Sequence, residues 1–83
     1  MNKYLDKTKQ GYRVCSFYES NGRLSAIIKR DNDYIVGHGY NPKDGTWQQG
    51  RYNNRCYGSA VETLKTEKPK AKYIDKVIYE LEH

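Results

Sequence analysis

The sequence predicts a small α+β domain, an antiparallel meander of three to four strands with one helix packed on one face and a C-terminal strand. The chain has 83 residues, of which 36% are hydrophobic, so it can bury only one thin core. Short apolar runs are separated by turn residues, notably Asn21-Gly22 and Asp31-Asn32-Asp33. After Ser59 a helical period replaces this pattern.

The two ends of the chain are expected to lie outside the domain. Residues 1–10 are polar apart from Tyr4 and Leu5, which predicts a flexible polar arm, or a short element tied down by those two side chains. Residues 11–80 form the single α+β domain. The last three residues, 81–83, match the start of a common expression tag and are interpreted as a tag remnant.

Four segments rich in aromatic and β-branched residues predict strands, at residues 12–19, 23–30, 34–40 and 46–53. Asn21-Gly22 joins the first two, because a two-residue type I′ turn needs positive φ at both positions. Asp31-Asn32-Asp33 precedes the third strand, and a loop with Pro42 and Asp44-Gly45 precedes the fourth.

One helix is predicted over residues 59–67. Ser59 and Glu62 fit a capping box, and Pro69 ends the helix. Residues 72–80 are rich in strand-forming side chains and predict a final strand, although Ile74, Val77 and Ile78 also fit a helix.

Tight turns fix strand register, and register assigns each side chain to a face. The predicted core face, against which the helix is expected to pack, holds Cys15, Phe17, Leu24, Ala26, Ile28, Ile35, Gly37 and Gly39. The opposite surface, called the tyrosine face here, holds Tyr12, Val14, Ser16, Tyr18, Ser25, Ile27, Lys29, Tyr34, Val36, His38 and Tyr40. Either a terminal segment covers the tyrosine face, or it binds a partner.

The fourth strand has two registers that the sequence leaves open. If Tyr40 opposes Trp47, then Trp47 and Arg51 join the tyrosine face. If Tyr40 opposes Thr46, then Trp47 lies over Gly39 on the core face, where its ring supports the glycine.

Neither catalysis nor metal binding is expected. Apart from His83 in the tag-like end, the one histidine is His38, and no nucleophile, base and orienting residue form a recognisable set around it. Cys15 and Cys56 have no zinc-type spacing. The sequence therefore predicts no enzyme, no catalytic residue and no cofactor. It also has no membrane-spanning stretch and no secretion signal, which favours a cytoplasmic protein.

Charge and aromatic content favour nucleic acid as the partner. The net charge is +5, and nine residues are tyrosine. Cationic side chains track phosphates while aromatic rings stack on bases, and single strands offer both. The candidate binding residues are Tyr34, His38, Tyr40, Trp47, Arg51, Arg55, Lys68 and Lys70. Residues 11–67 loosely resemble WGR domains, which bind nucleic acid, but Gly39-Tyr40 replaces the signature. The alternative is a protein partner or a homodimer that uses the same tyrosine face.

Overall fold

The computed structural model describes residues 3–83, and it forms a five-stranded antiparallel sheet with two helices. The strands lie in the order β4-β3-β2-β1-β5. In chain order the elements are β1 (Arg13–Ser20), β2 (Arg23–Lys29), β3 (Tyr34–His38), β4 (Gln49–Asn54), α1 (Tyr57–Glu67), β5 (Lys72–Ile74) and α2 (Lys76–Glu82). The predicted α+β class is thus confirmed, with two helices where one was predicted.

The Asn21-Gly22 turn has the predicted geometry. Asn21 has φ 54° and Gly22 has φ 77°, the left-handed region that a type I′ turn requires. The turn places Ser20 opposite Arg23 and Phe17 opposite Ala26, as its length dictates.

A β-bulge at Cys15 reverses the faces at the start of β1. The register shifts between Val14 and Ser16, so Ile28 faces Val14 and not Cys15 as predicted. Val14 is therefore fully buried in the core face beside Phe17, and Cys15 packs on the opposite side. One extra residue is enough, because side chains alternate along a strand.

Gly39 causes the same reversal at the end of β3. The predicted pairs Ile28–Ile35 and Ala26–Gly37 are confirmed, but β3 ends at His38, and Gly39 has φ 67°. This turn places Tyr40 on the core face, where its ring lies 5.5 Å from that of Phe17. The prediction that Tyr40 belongs to the tyrosine face is wrong.

Helix α1 covers the tyrosine face and not the core face. Ala60 and Leu64 are fully buried in one cluster with Ile27 and Val36. Both faces of the sheet carry apolar side chains, so either could have received the helix; the predicted side is wrong. The tyrosine face is thus closed by α1 and not by a terminal segment.

The core face is covered by parts of the chain that lack strong sequence signals. Leu5 is 4% exposed and packs there, while Thr8 is 2% exposed and its Oγ1 accepts a hydrogen bond from the Tyr12 N–H at 3.1 Å. Tyr79 of α2 adds its ring at 6.3 Å from Phe17. Leu5 and Thr8 therefore tie this polar segment to the domain, close to the second of the two predicted alternatives, and residues 1–2 lie outside the described residues.

Helix α1 begins two residues earlier than predicted. Cys56 is its N-cap, and the Sγ atom accepts a hydrogen bond from the Ser59 N–H at 3.5 Å. Ser59 lies inside the first turn, so its predicted capping role is wrong. The predicted end at residue 67 is confirmed, and Lys68 is the C-cap.

We expect Cys56→Ser to raise the free energy of unfolding by about 0.5–1 kcal/mol, because a hydroxyl accepts the cap hydrogen bond better than a thiol. Ser59→Ala, the matched control, should leave stability within about 0.5 kcal/mol. Chemical denaturation of both variants measures the difference. A large loss of stability for Ser59→Ala would instead place the cap at Ser59.

The C-terminal segment is both strand and helix. Lys72–Ile74 pairs with β1, placing Tyr73 opposite Tyr18, which confirms the predicted strand over those three residues. Asp75 then caps α2, its Oδ1 accepting from the Val77 N–H at 2.8 Å. The strand prediction is wrong beyond Ile74, because Asp75 stops the strand and starts a helix.

Candidate nucleic-acid interface

The eight predicted binding residues do not share one surface. Tyr34 is half-buried and meets the ring of Tyr57 at 6.2 Å, while His38 is 6% exposed and Tyr40 is 4% exposed. The remaining five keep at least part of their surface exposed, namely Trp47, Arg51, Arg55, Lys68 and Lys70. The tyrosine face therefore cannot be the interface, because α1 occupies it.

His38 belongs to a polar network between the sheet and the end of α1. Its Nδ1 lies 2.8 Å from the Ser25 Oγ, across the β2–β3 pair. Its Nε2 lies 3.0 Å from the Glu67 Oε1, and the Arg51 Nε donates to the Glu67 Oε2 at 2.5 Å. These contacts fasten the last residue of α1 to two strands.

The contacts in this network keep the Glu67 carboxyl group ionised. The hydrogen bond from His38, helped by that from Arg51, holds the pKa of Glu67 below its usual value. Glu67 is therefore an anion at neutral pH, and it forms an ion pair with Arg51. Ser25, His38 and Glu67 include the residue types of a hydrolytic triad, but Ser25 is 5% exposed. The predicted site residue Arg51 is an ion-pair partner in this network.

An aromatic pair lies over two glycines on the other side of the sheet. Gly37 opposes Gly50 across β3 and β4. A Cβ at Gly37 would lie 2.9 Å from the Trp47 Cγ, and one at Gly50 would lie 2.5 Å from the Tyr52 Oη. The rings fill the space that the missing side chains leave, a known way to support glycine in a sheet.

The two rings are fixed to each other and to a cation. The Trp47 Nε1 donates to the Tyr52 Oη at 3.2 Å, and the Arg30 guanidinium lies 5.4 Å from the Tyr52 ring centroid. Arg30 is held by a bidentate pair with Asp33, at 2.8 and 2.6 Å. Tyr52 is 48% exposed. We call Trp47, Tyr52 and Arg30 the aromatic platform.

The observed register of β4 explains why Trp47 was difficult to place. His38 opposes Gln49 and Val36 opposes Arg51, which is the register in which Tyr40 would meet Trp47. That register puts Arg51 on the tyrosine face, as the first of the two alternatives predicts. Strand β4 begins only at Gln49, so Trp47 lies outside the regular strand pairing. Its ring therefore packs against the core face, over Gly37 and not over Gly39.

Two members of the platform were missed by the sequence reasoning. Tyr52 has no distinguishing signal among nine tyrosines, and Arg30 ends a predicted strand. The available signal was Gly50, which lies two residues before Tyr52 in a predicted strand, because a glycine there needs a neighbouring ring.

Exposed cations flank the platform at two places. Arg55 and Arg30 line a groove of about 460 Å³ with Asp31, Asp33 and Asn53. Lys68 and Lys70 lie beyond the end of α1, beside a second groove of about 310 Å³. Neither set contacts the other, so the predicted cluster is divided between two ends of the molecule.

The described residues show neither a metal site nor a membrane-spanning helix. Within residues 3–83, no group of three or more His, Cys, Asp or Glu side chains is arranged to hold a metal ion. In the same part of the chain, each helix is too short and too polar to cross a membrane. Comparisons with known protein families, characterised proteins and solved structures find no match for this chain.

Proposed function

We propose that this protein binds single-stranded nucleic acid without enzymatic chemistry, stacking bases on the aromatic platform and binding phosphates with nearby cations. The observation that carries the proposal is the half-exposed Tyr52 ring, which Trp47 contacts at the hydroxyl and the Arg30 guanidinium approaches to 5.4 Å from the centroid. A ring fixed before binding loses little conformational entropy when a base stacks on it.

Charge supports the same partner. The chain carries a net charge of +5, and Arg55 lines the same groove as Arg30, a member of the platform. Phosphates that pass along this groove would meet a cation next to the stacking site. Lys68 and Lys70 extend the positive surface at the opposite end, within the reach of a longer strand.

Binding of a labelled thymidine oligonucleotide, followed by fluorescence anisotropy at two salt concentrations, tests the proposal. We expect Tyr52→Ala to weaken binding about tenfold, because one base no longer has a ring to stack on. Tyr73→Ala is the matched control: Tyr73 is 58% exposed, but it lies on the opposite edge strand, so affinity should not change.

The charge contribution is measured separately in the same titrations. The double variant Lys68→Gln with Lys70→Gln should reduce the slope of log affinity against log salt by about 0.7 for each phosphate that is no longer neutralised. Tyr52→Ala should leave that slope unchanged. No binding at low salt, or equal losses of affinity for Tyr52→Ala and Tyr73→Ala, would refute the proposal.

Self-association is the second candidate, and one observation favours it. Val77 and Ile78 of α2 are 64% and 52% exposed and present an apolar helix surface. A homodimer through α2 would double the mass in solution and resist salt, since apolar burial needs no counterion release. Mass measurement on the titrated sample separates the two candidates.

A further inference from the structure

A small cavity lies between the first hairpin, the segment before β4 and the end of α1. Its volume is about 70 Å³, more than the roughly 30 Å³ that one water occupies in the liquid. It is largely enclosed, unlike the wide grooves beside Arg55 and Lys70. The residues that line it include Arg23, Ser25, His38, Gln48, Gln49 and Lys68.

The lining favours an anion. Arg23 and Lys68 supply positive charge, and neither forms an ion pair within residues 3–83. Among those residues no carboxylate lines the cavity. The two carboxylate oxygens of the nearby Glu67 contact His38 and Arg51, and Glu67 lines the neighbouring groove with Ser20 and Lys68.

The neutral groups supply donors. Gln48 and Gln49 bring two side-chain amides to the wall of the cavity. Ser25 is fixed by His38 at 2.8 Å. The Ser25 hydroxyl lies on the wall of the cavity beside the His38 ring. The cavity therefore combines two cations with side-chain amide donors, groups that bind phosphate oxygens.

We infer that this cavity binds the terminal phosphate monoester of a nucleic-acid strand. The inference rests on the proposed function and specifies which end of the ligand the protein recognises. An internal phosphodiester carries a nucleoside on both sides and fits a small cavity less well than a terminal phosphate, which has three free oxygens. The cavity lies on the His38 side of the sheet, across from the aromatic platform, so the two sites are separate.

The experiment compares one oligonucleotide in three forms, with a 5′-phosphate, with a 3′-phosphate and with hydroxyls at both ends. We expect one phosphorylated form to bind about tenfold more tightly than the hydroxyl form, as charge-assisted hydrogen bonds predict. Arg23→Gln and Lys68→Gln should each abolish that preference. Lys65→Gln, an exposed lysine of α1 that does not line the cavity, should retain it.

The outcomes distinguish the two proposals. Equal affinity for all three forms overturns this inference and leaves nucleic-acid binding intact. No binding of any form refutes the proposed function; inorganic phosphate then tests the cavity alone, through the amide chemical shifts of Gln48 and Gln49. Shifts that move with phosphate and no longer move in Arg23→Gln support the anion site, and unmoved shifts overturn it.

Discussion

Replacing Leu64 with alanine is expected to lower the free energy of unfolding by about 2–5 kcal/mol, the range seen when a buried leucine is truncated. Leu64 is fully buried where α1 meets Ile27 and Val36. The substitution removes apolar packing and leaves a cavity under the helix. For a domain this small, such a decrease is a large part of the total stability. Thermal and urea denaturation measure it.

Leu81→Ala provides a matched control for this prediction. It makes the same chemical change in the other helix, at a side chain that is 79% exposed. Its effect should stay within about 0.5 kcal/mol. Equal effects at the two positions would mean that α1 does not cover the tyrosine face, and the predicted interface would have to be considered again.

Replacing Glu67 with glutamine is expected to cost about 2 kcal/mol at neutral pH, because two charged hydrogen bonds lose their anion. The Glu67 side chain is 27% exposed, which reduces but does not remove the effect. His38 and Arg51 are the groups that face it. The difference between wild type and variant should depend on pH.

The direction of this pH dependence follows from the lowered pKa of Glu67. The unfolded chain takes up its proton first, so the stabilisation is complete above the unfolded pKa of about 4.3 and is lost as pH falls through the lower folded pKa. Urea titrations at several pH values should show the wild type and Glu67→Gln converging in acid. Arg30 also lowers the pKa of Asp33, but Asp33 is present in both proteins, so its contribution to the difference cancels.

Glu62→Gln is the control, since Glu62 is exposed on the same helix. Its difference from wild type should stay small and nearly constant with pH. A Glu67→Gln difference that persists unchanged in acid would show that the contacts of the Glu67 carboxylate with His38 and Arg51 contribute nothing to stability.

The sheet face on which each strand side chain lies could be predicted wherever a tight turn fixed the register. The pairs Phe17–Ala26 and Ile28–Ile35 follow from turns whose residues are visible in the sequence. The predicted faces were wrong before Cys15 and after Gly39. The bulge at Cys15 and the left-handed Gly39 each shift the alternation of side chains by one residue. Val14 and Tyr40 therefore lie on the face opposite to the predicted one. No local pattern in this single sequence marks the bulge.

The site was harder to predict than the fold, because its contacts join distant residues. His38 and Glu67 are 29 positions apart, and their contact depends on which face α1 covers. The side chains of Ala60 and Leu64 fit either face, since both are apolar. The platform likewise depends on the pairing of Gly37 with Gly50, which only the observed register of β4 reveals.

The position of Trp47 over Gly37 also gives the protein an intrinsic fluorescent probe of this edge of the sheet. It is the single tryptophan of the chain, it is partly buried, and its indole N–H is bonded to Tyr52. Emission excited at the red edge of tryptophan absorption therefore comes from one ring, at the edge of the sheet where β3 meets β4. Its wavelength follows the hydration of that edge during unfolding, and its intensity responds to any ring system that comes to rest beside it. Folding and ligand contact at this edge can thus be followed in the unlabelled protein.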